Sequence, residues 1–120
     1  MGLQISARKS GNVTILDMRG SVTIGASNDS FRAELRKLAE STPCDLLVNL
    51  ADVTQIDTFG ISTLVQSYVT LKRDGGNLKI LNPTGHVHEV LKVTHLDHAL
   101  AIFTDEAKAL ASFQAGAAHA

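Results

Sequence analysis

Asp57 and Thr58 stand together where an apolar run, Leu46-Leu47-Val48-Asn49-Leu50, gives way to a segment of helical periodicity. A carboxylate or hydroxyl at such a junction can accept from the first free N–H groups of the helix, and the same helix start attracts negative charge. Phe59 follows directly, a large apolar ring at a turn position where burial in the chain's own core is difficult, so it is either packed against a neighbouring loop or displayed as an anchor for a partner. The chemistry open to the segment Asp57-Thr58-Phe59-Gly60-Ile61-Ser62 is therefore capping, anion attraction or contact with a partner, not bond breaking.

Other reactive residue types are present without a constellation to use them. His86 and His88 are two apart, which puts them on different sides of a helix, and His95 and His98 bring no Cys pair or carboxylate set at ligand spacing. Cys44, beside Pro43, has no basic neighbour to lower its pKa and reads as a small filler at a strand entrance. The glycines form neither a Gly-x-Gly-x-x-Gly nor a Gly-Lys-Ser/Thr loop for phosphates. No nucleophile is paired with a base, so the expectation is a protein without enzymatic activity, cofactor or metal.

The elements that must position the Asp57 turn follow from pattern. Leu3 to Arg8 alternates, and Val13 to Met18 forms a second strand candidate across Ser10-Gly11-Asn12, a hairpin signal. From Ser27 the spacing of Phe31, Leu35 and Leu38 predicts an amphipathic helix flanked by Ala33 and Ala39, with Asp29 in its first turn and a stop at Ser41-Thr42-Pro43. Leu46 to Leu50 reads as a central strand covered on both faces. Beyond the turn, Ile61, Leu64, Val65, Tyr68 and Leu71 mark the core side of a helix that Gly75-Gly76 ends. Its uncharged polar residues Ser62, Thr63, Gln66, Ser67 and Thr70 read as a solvated face, and their lack of Glu and Lys is also compatible with a partner or self-contact. Leu78 to Leu81 is a short strand, Thr84 a cap for a helix carrying Val87, Val90 and Leu91, and Ala99 to Phe103 a last strand. Thr104-Asp105-Glu106 then opens a helix with Leu110 and Phe113 on its apolar face. The order β-β-α-β-α-β-α-β-α implies an α/β domain: a mixed sheet of about five strands, antiparallel at its N-terminal hairpin, with about four helices. One domain over residues 1–120 is expected, its tail fraying from about 115.

Composition narrows the function classes. The 120 residues suffice for one core burying roughly 65% of the unfolded surface. With 4 Phe and 1 Tyr, that core must be aliphatic. A net charge of −1 from 11 basic and 12 acidic residues, without a basic cluster, argues against nucleic acid. No apolar run approaches the ~18 residues of a membrane span. With one Cys and no leader-type N-terminus, the expected location is cytoplasmic.

Four segments in order resemble the STAS domain, and within it the anti-sigma factor antagonists. Gly20-Ser21-Val22-Thr23 is similar to the family's Gly-x-Leu segment, and Asp57-Thr58-Phe59-Gly60-Ile61-Ser62 to its Asp-Ser-Ser-Gly-Leu-Gly turn. Leu81-Asn82-Pro83 and Val90-Leu91-Lys92-Val93-Thr94-His95-Leu96 follow its Leu-x-x-Pro and Val-Leu-x-x-Thr-x-Leu order. Residues 3 to about 114 are covered. The resemblance implies binding of an anti-sigma factor of serine/threonine kinase type, which frees a sigma factor, with phosphorylation of the Ser before the turn Gly opposing the complex. Phe59 stands at that Ser, Asn49 where the family usually has Asp, and Ser62 at the second Gly. Thr58 is then the nearest hydroxyl for a phosphate, with Ser62 behind it. Partner contacts are expected at Asp57, Thr58, Phe59, Gly60 and Ile61, with Ser21 and Thr23 on the rim. The altered turn leaves two further readings open: an accessory subunit of a lipid or anion transport assembly, and a non-phosphorylatable scaffold that self-associates or joins other STAS proteins.

Overall fold

A computed structural model describes residues 3–40 and 44–118. Gly11, at φ 60°, and Asn12 turn the chain between β1 (Leu3–Ser10) and β2 (Val13–Val22), which pair antiparallel from Ser10 opposite Val13. A two-residue connection needs a positive φ, which glycine takes without strain. β2 runs past the expected end at Met18, because register shifts at Asp17/Arg19 and Gly20/Ser21 keep a non-alternating stretch within the ladder.

The remaining elements are α1 (Ala26–Ala39), β3 (Asp45–Ile56), α2 (Thr58–Arg73), β4 (Asn77–Leu81), α3 (Gly85–Val93), α4 (Leu96–Ala99), β5 (Ile102–Phe103) and α5 (Glu106–Ala118). The sheet order is β1-β2-β3-β4-β5, parallel after the first pair. This is the expected α/β architecture, a single small domain on a mixed sheet. The stop expected at Ser41-Thr42-Pro43 lies outside the described residues, as do residues 119 and 120 of the tail expected to fray.

Three elements depart from pattern. β3 extends to Ile56, not Leu50; its first half is buried on both faces, whereas beyond Leu50 only Val53 and Ile56 are buried. The expected last strand shrinks to Ile102–Phe103 because Leu96–Ala99 forms an additional helical turn, closed by Leu100 N–H donating to Leu96 O at 2.8 Å. Among the described residues helices therefore number five rather than about four. At the end of α2, Gly75, at φ 93°, donates to Lys72 O and Gly76 to Leu71 O, a Schellman termination that points the chain into β4.

Alternation along the strands divides the core between the two sheet faces. On one face Leu16, Met18, Leu46, Val48, Leu78 and Ile80 pack with Phe31 of α1, Leu64 of α2 and Leu91 of α3. On the other, Val13, Ile15, Leu47 and Leu81 are covered by Ala109 and Phe113 of α5. As composition required, aliphatic side chains dominate both.

Candidate functional site

The C-terminal end of β3 delivers Asp57 in an extended conformation, φ −107° and ψ −174°, as the N-cap of α2. Its Oδ1 accepts from Phe59 N–H at 3.0 Å and Gly60 N–H at 3.1 Å, while Oδ2 accepts from Ile24 N–H at 2.8 Å. Its own N–H donates to Val22 O at 3.2 Å. One side chain thus caps the helix and fastens to it the loop between β2 and α1. Desolvation pushes the Asp57 carboxyl up, but donation from Ile24, Gly60 and Phe59 outweighs it and holds the group below the usual carboxylate value.

Gly60 is demanded by space. A Cβ here would stand 2.7 Å from Val22 O and from Ile56 Cγ1, so the first turn of α2 presses directly on the ends of β2 and β3. That approach turns Phe59 outward, 46% exposed. Ile24, 66% exposed, lies on the loop tied to the same carboxylate. Two large apolar side chains are thus displayed on segments joined by Asp57.

The other expected residues divide. Thr58 is exposed at the first position of α2 and, unlike Asp57, makes no capping bond among the described residues. Ser62 is exposed, with Gln66 Nε2 3.5 Å from its hydroxyl. Ile61 is half-buried and packs against the core, so it supports the turn from behind. Ser21 and Thr23 are half-buried. The Thr23 backbone is held at both ends by Ser27, whose hydroxyl accepts from Thr23 N–H at 3.1 Å and donates to Thr23 O at 2.9 Å.

Beneath the turn lies a contact that sequence reading missed. Thr63, expected on a solvated face, is 2% exposed, and its hydroxyl donates to Oδ1 of Asn28, itself 3% exposed, at 2.8 Å. Phe59 O lies 3.1 Å from the same hydroxyl. Asn28 N–H also donates to Thr23 O at 3.1 Å, so the pair links the rim loop to the first turn of α2. The signal was available in the helical phase: Asn28 falls three before Phe31 and seven before Leu35, on the core side of α1. Ile24 had no such signal, since its exposure depends on how the loop is fastened.

The remaining reactive side chains stay apart from this site. His86, His88, His95 and His98 are exposed, and among the described residues no group of three His, Cys, Asp or Glu could hold a metal ion. Cys44 is buried, and burial pushes its thiol up, away from thiolate chemistry. No helix of the described residues is long and apolar enough to cross a membrane.

A model of the STAS domain matches residues 4–109. No curated protein sequence matches significantly. Among solved structures, the chain is similar to a protein assigned as an anti-sigma factor antagonist in Thermotoga maritima, at 21% identity over 92% of this chain and 94% of that one, TM-score 0.84. An anti-sigma factor antagonist from Mycobacterium paratuberculosis matches at 16% identity over 94% and 95%, TM-score 0.80. Unphosphorylated SpoIIAA, the Bacillus cell fate determinant and anti-sigma factor antagonist, matches at 14% over 93% and 97%, TM-score 0.79. At these identities the likenesses establish the shared fold. With the family model spanning most of its length, the chain belongs to the STAS domain family.

Proposed function

We propose that this protein acts by binding rather than catalysis, as a cytoplasmic anti-sigma factor antagonist. It occupies a kinase-type anti-sigma factor and so releases a sigma factor. The observation that carries this reading is Phe59, exposed at the Asp57 turn beside exposed Ile24, where an aromatic anchor can supply much of an interface's energy. Asp57, Thr58, Phe59 and Gly60 form the docking turn, Ile61 supports it, and Ser21 and Thr23 lie at its rim.

Phe59 carries no hydroxyl, so a phosphate cannot be placed where the family's switch serine stands. Thr58 is the substitute phosphosite in this reading. Phosphate there would add roughly −1.5 to −2 charge beside Asp57 and repel an acidic partner surface. Ser62, further along the helix, is the weaker acceptor.

Capture from native lysate on the immobilised chain, followed by incubation with ATP, tests both halves. The expected catch is a soluble kinase-type anti-sigma factor, and the expected label is on Thr58, lost in Thr58→Ala. Equal labelling of parent and mutant sinks the phosphosite. Capture of a membrane ATPase or transporter instead replaces the antagonist reading with the transport one.

A further inference from the structure

The groove between α1 and α2 has a composition that the docking turn leaves unexplained. Arg32 and Arg36 stand one turn apart on its α1 wall, facing the uncharged Gln66, Ser67 and Thr70 of α2 across a cavity of about 220 Å³. Buried Leu35 and Leu71 make its floor apolar. Among the described residues no carboxylate lines it. Asp29 and Glu40 stand three before Arg32 and four after Arg36 on the same helix. Even so, neither arginine is in an ion pair among the described residues. The helix dipole accounts for Arg36 in the last turn of α1 but not for Arg32.

This groove is continuous with the docking turn. Phe59, Ser62, Gln66 and Val69 recur at spacings of three and four along the outer side of α2, all exposed, and Gln66 is also a wall of the groove. Val69 is 53% exposed, and the row runs on to Lys72 and Arg73 without meeting an acid. We infer that the α1–α2 groove is a second docking surface for an acidic amphipathic helix of the partner. Its carboxylates pair with Arg32 and Arg36, and its apolar side lies on the groove floor and on the Phe59–Val69 row. Arginine forks suit carboxylates, and a helix laid in a groove presents apolar anchors at three- and four-residue spacing. The inference rests on the reading that a protein partner docks at Phe59.

The probe is a synthetic Leu/Glu amphipathic peptide of about four helical turns, titrated into the isotopically labelled full chain and followed by amide chemical shifts. Shifts confined to residues 32–39 and 59–71 are expected, with affinity falling about tenfold or more in the Arg32→Glu/Arg36→Glu variant. The milder Arg32→Gln/Arg36→Gln pair should weaken binding in the same direction, and a Leu/Lys peptide should leave those amides unmoved. Shifts that are absent, spread over the surface or unchanged in both variants overturn the inference. If the lysate capture yields no anti-sigma factor while the peptide still maps to the groove, the antagonist reading fails and the acidic-helix site stands.

Discussion

Four consecutive residues at the Asp57 turn separate by side-chain chemistry. Asp57 closes the helix start and the loop, Thr58 leaves a free hydroxyl outside, Phe59 displays a ring, and Gly60 lets the turn approach the sheet. Gly60→Ala should therefore cost about 1–3 kcal/mol, because the added methyl meets backbone and β-branched side chains with little freedom to yield. Denaturant midpoints of mutant and parent measure it; an unchanged midpoint would show that α2 lifts off without strain. Phe59→Ser should weaken partner affinity by about tenfold or more while restoring a phosphorylatable residue before the turn glycine. Calorimetric titration against the captured anti-sigma factor, with ATP labelling alongside, checks both effects, and unchanged affinity without labelling counts against both. In the sequence Asp57 was one of two candidate caps, with Thr58, and Phe59 an aromatic at a turn, either packed against a loop or displayed. The burial of Thr63 was not legible, because a threonine in a helix is as compatible with solvent as with a buried asparagine, and only the crossing of α1 and α2 distinguishes them.

At the scale of elements, one arginine ties the first hairpin to the last helix. The Arg8 guanidinium reaches Asp17 of β2 and Glu106 of α5, each at 2.6 Å, and Asp17 also accepts from Asn49 Nδ2 at 2.8 Å. An Asn rather than the family's usual Asp at position 49 thus donates to Asp17 instead of repelling it. Hydrogen bonds from Arg8 hold both carboxyls below their ordinary values of 3.8 and 4.5. Their contribution is therefore present above those values and is lost as pH falls through the lowered folded-state values. The groups are partly exposed, so each pair is worth only about 0.2–1 kcal/mol. Arg8→Met should lower stability by that order at neutral pH and narrow its gap from the parent as the solution is acidified. Thermal unfolding measured from neutral pH to about pH 3 checks the sign; a gap that widens toward acid would refute it. Asp17 lies nine residues from Arg8, across the expected hairpin. Glu106, by contrast, lies 98 residues away, beyond any local signal.

Over the whole molecule, the two sheet faces have separate tasks. α1, α2 and α3 build the core beneath the Asp57 turn, while α5 closes the opposite face through Phe113, with Lys79 Nζ 4.6 Å from its ring centroid and 2.8 Å from Ser112 Oγ. Phe113→Ala should cost about 3–5 kcal/mol, the range for emptying a buried aromatic site. Because the sheet stands between Phe113 and Phe59, affinity at the turn should hold wherever the variant remains folded. Paired measurements of denaturant midpoint and partner affinity test this, and a parallel loss of affinity would show that the faces are coupled.

The sequence by itself determined the α/β class, the mixed sheet and the helix start at Asp57, whereas the outward turn of Phe59 came from the close approach of α2 to the sheet at Gly60. The first three rest on local periodicity and turn chemistry, which neighbouring residues specify. Tertiary structure decided the length of β3, the helical turn Leu96–Ala99, the pairing of Asn28 with Thr63, the exposure of Ile24 and the acid-free groove between Arg32, Arg36 and Gln66. The Asn28–Thr63 pair, the exposure of Ile24 and the groove depend on residues far apart in the chain being brought within a few ångströms. Only the packing of α1 and α2 against the sheet sets those distances; helical phase puts Asn28 on the core side of α1 but does not place Thr63 opposite it.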